Sequence, residues 1–158
     1  MTNTPVNTNQ VTIDPVLNKE ILIGYCDRGA YKIPRYQRWF DEWYKKQEPE
    51  VYYTGKLQAG FLASLSITII SASWCGSCRT EVARFYKIFD GLNINYNKVT
   101  VIYVNKQKQA PGIDISALRI GRVPTFIFYK NSTEIARITE QPKDTLEAEL
   151  FRVQENNK

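Results

Sequence analysis

A chain of 158 residues is long enough to form one domain with its own hydrophobic core, without disulfide bonds to hold it together. Hydrophobic residues make up 43% of the sequence and charged residues 23%, as in ordinary globular proteins. The net charge of +5 comes from 21 basic and 16 acidic residues that are scattered without a run of like charge, so we expect no nucleic-acid partner.

Membrane and export segments are also missing from the sequence pattern. No apolar stretch reaches the roughly 18 residues that a membrane span needs, so we expect no span in this chain. The N-terminus lacks the basic and apolar regions of a signal peptide. Two locations stay open: the cytoplasm, or the bacterial periplasm or cell envelope if an export signal has been removed ahead of Met1.

The first third of the chain divides into a tail and an extension. Residues 1–17 are polar and rich in Asn and Thr, and we predict a disordered tail. Residues 18–60 are predicted to form a helical, aromatic-rich extension that packs on the core, with a short strand at 20–25 and a second short helix at 50–62. Its main helix begins at Pro34, where a missing N–H costs nothing.

This helix carries an aromatic stripe at helical spacing, formed by Tyr36, Trp39, Phe40, Trp43 and Tyr44. We expect the stripe to pack the helix onto the main domain. A partner-binding face is the alternative.

Residues 61–158 are predicted to form the main domain, in which strands alternate with helices. Strands are predicted over residues 66–72, 98–104, 124–130 and 134–139. Helices are predicted over residues 78–90, ended by Gly91, over 113–120, and from Pro142 onward with Leu146, Leu150 and Val153 on one side. This alternation predicts an α/β fold.

The sequence WCGSC, residues 74–78, lies where the first of these strands meets the first helix. Cys75 would occupy the helix N-terminus, where free backbone N–H groups and the helix dipole favour a thiolate. Such a position lowers a thiol pKa from about 8.5 into the range of roughly 3.5–7.5. Cys78, one turn further, is expected to be buried and protonated. An exposed nucleophile and a resolving thiol are what thiol–disulfide exchange requires.

The cysteine pair has two alternative uses. Zinc normally takes four Cys or His ligands, but the chain has no histidine and only one further cysteine, Cys26, so we predict no metal site. Two inert cysteines at a helix start are the second alternative. Cys26 itself is expected to be buried and unreactive, with a regulatory or intermolecular thiol as its alternative.

Strand-WCGSC-helix, followed by LRIGRVPTFIFYKNSTEIARI at residues 118–138, resembles the thioredoxin family over about residues 61–155. The resemblance implies a thioredoxin-like fold with a central mixed β-sheet flanked by helices. It also implies that Pro124 faces the dithiol in a cis peptide bond, and only X–Pro bonds adopt this form readily. Without the resemblance, a trans proline at the start of an edge strand would be favoured.

The resemblance further implies a thiol–disulfide oxidoreductase in which Cys75 attacks and Cys78 resolves, with no bound cofactor besides this redox-active pair. The implied substrate groove involves Trp74, Gly76, Ser77, Val123 and Pro124. We expect protein disulfides or dithiols as substrates, a separate electron-donor protein, and a monomer. A reductase is favoured over an oxidase. The alternative from another class is a thioredoxin-like protein-binding module whose dithiol is vestigial.

Three residues leave the direction of electron flow open. Ser77 stands where thioredoxin usually has a proline, and Ile69 stands where it has a buried aspartate. Glu81, three residues after Cys78, matches a glutamate in membrane-tethered relatives that serve cytochrome maturation, and it could accept the proton of Cys78. The alternative is that Glu81 is an exposed residue of the first helical turn, which interacts favourably with the helix dipole or pairs with Arg84.

Overall fold

The computed structural model describes residues 7–139 and 143–158. In this part of the chain six strands form one sheet: β1 (Gln10–Asp14), β2 (Lys19–Cys26), β3 (Ser66–Ser71), β4 (Val99–Tyr103), β5 (Thr125–Lys130) and β6 (Thr133–Thr139). The order across the sheet is β1-β2-β4-β3-β5-β6. β3 and β4 are parallel and the other pairings are antiparallel, so the sheet is mixed.

Five α-helices accompany the sheet in the described ranges: α1 (Pro34–Lys46), α2 (Val51–Thr54), α3 (Ala59–Ser64), α4 (Gly76–Gly91) and α5 (Leu146–Asn157). Short 3-10 helices occur at Arg28–Lys32 and Ser116–Leu118. The predicted α/β class, a mixed sheet flanked by helices, is confirmed. No helix in residues 7–139 and 143–158 has the length and apolar character needed to cross a bilayer.

The two faces of the sheet carry separate cores. Consecutive residues of a strand point to opposite faces, and Ile69 and Ile70 accordingly belong to different clusters. The larger core holds the apolar side chains of α1, α4 and α5. The smaller core contains Cys78 and Val123, and Trp74 and Cys75 pack against it. The cysteine pair thus borders the smaller core.

The N-terminal tail departs from its prediction. Gln10–Asp14 forms β1, which pairs with β2 along its whole length, so a disordered tail over residues 1–17 is wrong for these five residues. Buried Asp14 closes the turn between the two strands by accepting hydrogen bonds from the N–H groups of Val16 and Leu17. Residues 1–6 and Pro142, which was predicted to open the last helix, lie outside the described residues.

The extension packs against the rest of the chain. Tyr36, Trp39 and Phe40 are buried in the larger core, and Trp43 and Tyr44 are half-buried against it, which is the packing role expected for the stripe. The helix predicted over 50–62 is two short helices, α2 and α3. Between them Gln58 has an extended backbone, φ −98° and ψ 107°, and its N–H donates a hydrogen bond of 2.6 Å to the buried side chain of Gln154.

A helix predicted over residues 113–120 is also wrong. Asp114 Oδ1 accepts hydrogen bonds from the Ser116 N–H and hydroxyl, which starts a single 3-10 turn. Arg119 then takes a left-handed conformation, φ 54°, and ends the turn. The segment between β4 and β5 is therefore a long loop that covers part of the smaller core.

Candidate functional site

Cys75 is the N-cap residue of α4. β3 ends just before it, and its extended backbone, φ −104° and ψ 122°, lets the side chain turn back over the first helical turn. Its Sγ accepts a hydrogen bond from the Cys78 N–H at 3.2 Å and lies 3.3 Å from the Ser77 hydroxyl. Sulfur thus takes the place of the oxygen that usually caps a helix.

These contacts lower the pKa of the Cys75 thiol from an ordinary value near 9.0 to about 6. The largest cause is its hydrogen bond with the side chain of Cys78, which favours the thiolate. Burial acts in the opposite direction and raises the pKa. The hydroxyl and the N–H of Ser77 both lower it. At neutral pH most Cys75 side chains are therefore thiolates.

Cys78 has the opposite character. Its side chain is 1% exposed. Burial, followed by the hydrogen bond with the Cys75 side chain and the negative charge of Cys75, raises its pKa far above the ordinary value. Both cysteines are free thiols. One accessible thiolate and one buried thiol therefore lie one helical turn apart.

Ser71, at the end of β3, is a site residue that the sequence analysis missed. It is fully buried, and its Oγ has no hydrogen-bond partner within the described ranges. Its unpaired hydroxyl is able to stabilise a Cys78 thiolate, and it lowers the pKa of that thiol against the larger effect of burial. A serine that follows the apolar pair Ile69–Ile70 at the end of the strand SITIIS was the available sign in the sequence.

The loop before β5 faces Cys75. The Val123–Pro124 peptide bond is cis. Val123 is buried, and its carbonyl oxygen lies 3.7 Å from Cys75 Sγ, where a thiol of Cys75 can donate to it. The structure thus brings the predicted groove residues Val123 and Pro124 to the nucleophile.

The remaining predicted groove residues, Trp74, Gly76 and Ser77, lie close to Cys75 in the sequence. Trp74 donates a hydrogen bond from Nε1 to the Val104 carbonyl at 3.0 Å, and the Lys106 ammonium lies 4.6 Å from the centre of its ring. Gly76 is exposed, with no atom within 4 Å of the place where a Cβ would lie. The surface at Gly76 is therefore open to solvent.

Glu81 is half-buried on the second turn of α4. Burial raises the pKa of its carboxyl to about 7, while Arg84 lowers it and Glu147 raises it. Its Oε1 is buried without a hydrogen-bond partner among the residues described. Arg84, the alternative partner, instead binds Glu147 through two short hydrogen bonds. The role of Glu81 as proton acceptor for Cys78 stays a prediction.

A further arginine, which the sequence analysis did not single out, joins the extension to the dithiol loop. Arg79 donates two hydrogen bonds to the Ser73 carbonyl, at 3.0 and 2.9 Å, and its guanidinium lies over the ring of Trp39. The Ser73 hydroxyl in turn accepts a hydrogen bond from the Leu22 N–H. The backbone just before Cys75 is thus held by both α4 and the extension.

Cys26 lies away from the dithiol at the end of β2. It is buried, and burial raises the pKa of its thiol to about 12. A neutral, covered thiol is unreactive. This agrees with the structural role expected from the sequence.

Comparison with known proteins gives the following matches. The profile of the family described as Thioredoxin matches residues 61–152. Thioredoxin H2 of Arabidopsis thaliana is 29% identical over 90 residues, which cover 56% of this chain and 62% of that protein. The match therefore spans less than two thirds of the relative's length.

Solved structures with detectable similarity include two thioredoxins. Thioredoxin O2 of Arabidopsis thaliana in the oxidized state is 24% identical, with 67% of this chain and 84% of that chain covered and a TM-score of 0.41. Fasciola hepatica thioredoxin is 20% identical, with 66% and 90% covered and a TM-score of 0.42.

Proposed function

This chain belongs to the thioredoxin family, and we propose that it exchanges disulfides with protein substrates through Cys75 and Cys78. The observation that carries the proposal is the unequal pair of thiols. Cys75 has a pKa of about 6 and an accessible side, whereas Cys78 is buried and protonated directly behind it.

The first step is attack by the Cys75 thiolate on one sulfur of a substrate disulfide. A bond forms between Cys75 Sγ and that sulfur, the substrate S–S bond breaks, and the second substrate sulfur leaves as a thiolate that takes a proton from water. The Val123 carbonyl beside Cys75 and the open side at Trp74 and Gly76 form the place where the substrate backbone lies.

In the second step Cys78 loses its proton and attacks Cys75 Sγ. The Cys75–Cys78 disulfide forms, the mixed disulfide breaks, and the attacked substrate sulfur leaves as a thiolate. Two electrons have then passed from the dithiol to the substrate, so the pair itself is the redox group and no bound cofactor is needed. Ser71 can donate a hydrogen bond to the Cys78 thiolate, and Glu81, with a pKa of about 7, is the candidate acceptor of its proton.

We propose the reductase direction, with a separate protein dithiol restoring the reduced form. Measuring the reduction potential of the Cys75/Cys78 couple against glutathione tests this direction. A value near −270 mV supports a reductase, whereas a value near −120 mV indicates an oxidant.

The exchange reaction is tested by mixing the reduced protein with a disulfide-containing protein substrate such as insulin. We expect one Cys75–Cys78 disulfide to form for each substrate disulfide reduced. Cys78→Ser should accumulate a mixed disulfide at Cys75 that dithiothreitol releases, and Cys75→Ser should form none. Cys26→Ser is the matched control, because this third thiol is buried and far from ionisation, and it should react like the natural sequence.

One result would contradict the proposed disulfide exchange. If the reduced protein leaves the substrate disulfide intact and Cys75 titrates near pH 8.5, the dithiol is vestigial and the protein-binding alternative is favoured.

The same assay tests the role of Glu81 as proton acceptor for Cys78. A longer-lived mixed disulfide in Glu81→Gln supports its role as acceptor, and an unchanged lifetime contradicts it.

A further inference from the structure

A groove of about 750 Å³ runs along the loop between β4 and β5. Ile113 and Ile120 lie in its wall and pack against the smaller core of the sheet. The side chains of Trp74 and Cys75 pack against the same core. The lining ends at Gly121, two residues before Val123, whose carbonyl oxygen lies 3.7 Å from Cys75 Sγ. A chain bound through a disulfide to Cys75 could therefore continue into this end of the groove.

The charge of this groove is mainly positive. Lys108 and Arg119 line it, and neither side chain forms an ion pair within residues 7–139 and 143–158. Asp114 is the single acidic residue in the lining, and its Oδ1 already accepts two hydrogen bonds from Ser116. A third cation, Lys106, precedes the groove residues in the same loop and lies over the ring of Trp74.

The backbone at both groove cations is unusual. Lys108 has φ 59° and Arg119 has φ 54°, in the left-handed region that glycine and asparagine adopt most readily. Among the non-glycine residues with positive φ in the described ranges, these two are the long cationic ones, and the others are asparagines and a serine.

The start of the loop is also fixed in place. The Lys106 N–H donates a hydrogen bond of 2.7 Å to Asp14 Oδ2, and Asp14 is only 1% exposed. β1 thereby anchors the end of the loop that carries Lys106 and Lys108. The groove has a defined wall before any ligand binds, which reduces the cost of ordering it on binding.

We propose that this groove binds an extended, acidic segment of the protein substrate, next to the cysteine that Cys75 attacks. Acidic side chains of the segment pair with Lys108 and Arg119, and its apolar side chains contact Ile113 and Ile120. The inference rests on the proposed disulfide exchange and adds to it a preference for substrates with Asp or Glu near the reacting cysteine.

Peptides that cannot react test binding separately from redox chemistry. Three peptides of one sequence, with serine in place of the cysteine, carry Asp and Glu, Asn and Gln, or Lys and Arg beside that serine. Each is titrated into the reduced, ¹⁵N-labelled protein while the amide signals of Lys108, Gly112, Arg119 and Gly121 are followed. We expect the acidic peptide to bind at least about tenfold more tightly than the neutral one at about 0.02 M salt, with the difference shrinking at about 0.2 M.

Charge reversal gives the decisive comparison. Lys108→Glu/Arg119→Glu should abolish the preference for the acidic peptide or invert it. The matched control is Arg38→Glu/Lys45→Glu, which changes the net charge equally at two exposed residues of α1, on the opposite face of the sheet. Equal affinity of all three peptides, or an equal loss of preference in the control, would overturn the proposal.

The cysteine-containing disulfide forms of the same peptides then separate the two proposals. Disulfide exchange that proceeds without any binding preference would overturn the groove and leave the oxidoreductase. Selective binding of the acidic peptide without exchange would support the groove as a binding site and contradict the proposed exchange reaction.

Discussion

The sulfur of Cys75 accepts a hydrogen bond from the backbone N–H of Cys78 at 3.2 Å, so the attacking residue also caps the helix that carries its resolving partner. The same placement brings Cys75 within hydrogen-bonding reach of the Cys78 side chain, which is the largest cause of the low Cys75 pKa. The Ser77 hydroxyl, 3.3 Å from the same sulfur, adds a second donor.

The first prediction concerns the titration of Cys75. Its alkylation by iodoacetamide should rise with a midpoint near pH 6, because the folded thiol has a pKa of about 6. Ser77→Ala should move the midpoint upward by several tenths of a pH unit to about one, since it removes one donor to the thiolate. Mass spectrometry of the modified peptide distinguishes Cys75 from the other two cysteines.

The denatured protein is the control for this titration, and its midpoint should lie near 8.5. A native midpoint equal to the denatured one would show that the capping geometry does not activate the thiol.

The second prediction concerns Ser71 and the resolving step. Ser71→Ala removes the one side-chain hydroxyl that favours the Cys78 thiolate, so the mixed disulfide should live about tenfold longer, equivalent to the loss of about 1.5 kcal/mol from a hydrogen bond to a charged group. The alkylation midpoint of Cys75 should stay near pH 6. Stopped-flow measurement of product release gives the lifetime.

Ser71→Thr retains a hydroxyl and is the matched variant for this step, so it should resolve faster than Ser71→Ala. If the two variants release product equally slowly, the effect comes from altered packing at the end of β3 and the hydroxyl has no role.

The dithiol could be predicted because its determinants are local in sequence. WCGSC lies within five residues, and a strand followed by a helix is enough to place Cys75 at a helix N-terminus. The position of Pro124 followed from the family resemblance. The effect of Ser71 on the Cys78 pKa could not be predicted in the same way, since it depends on how the end of β3 is placed relative to the first turn of α4.

β1 and the groove loop show where sequence patterns mislead. The polar composition of residues 7–17 conceals a strand whose pairing depends on β2, so the tail appeared disordered. In the loop, apolar residues at 113, 115 and 120 suggested a helix. Asp114 and the left-handed Arg119 instead confine the helical structure to one turn. The apolar side chains of the loop cover the smaller core from an irregular backbone.

The third prediction concerns stability and the protonation of Glu81. Its pKa is about 7 in the folded protein and near 4.5 when unperturbed, so the folded state binds more protons between these pH values. The free energy of unfolding should therefore fall by about 1–3 kcal/mol as the pH rises from about 4.5 to 7 through this group alone. Urea unfolding at a series of pH values measures this change in the free energy of unfolding.

Other carboxyl groups also titrate in this range, so the comparison is between variants. Glu81→Gln should lack this part of the pH dependence and gain stability relative to the natural sequence at pH 8. Glu42→Gln, at an exposed residue of α1, should keep it. Parallel curves for Glu81→Gln and the natural sequence would mean that the Glu81 carboxyl ionises as if exposed.

The fourth prediction concerns the attachment of the extension. Asp90, on α4, accepts hydrogen bonds from Arg28 and from the hydroxyls of Tyr44 and Tyr96, and the Arg28 guanidinium lies 4.9 Å from the Tyr86 ring centre. Asp90→Asn leaves the half-buried Arg28 without its countercharge, so urea unfolding should show a loss of about 2 kcal/mol.

Glu42→Gln is the control for this ion pair, because Glu42 pairs with Lys46 on the exposed surface of α1 and its loss should cost less than about 0.5 kcal/mol. A single unfolding transition is expected for Asp90→Asn, because the extension and the main domain share the larger core. If the variant instead unfolds in two steps, with the tryptophan fluorescence of the extension changing first, the extension is a separate cooperative unit that Asp90 tethers. An unchanged midpoint would show that the aromatic packing of α1 alone holds the extension.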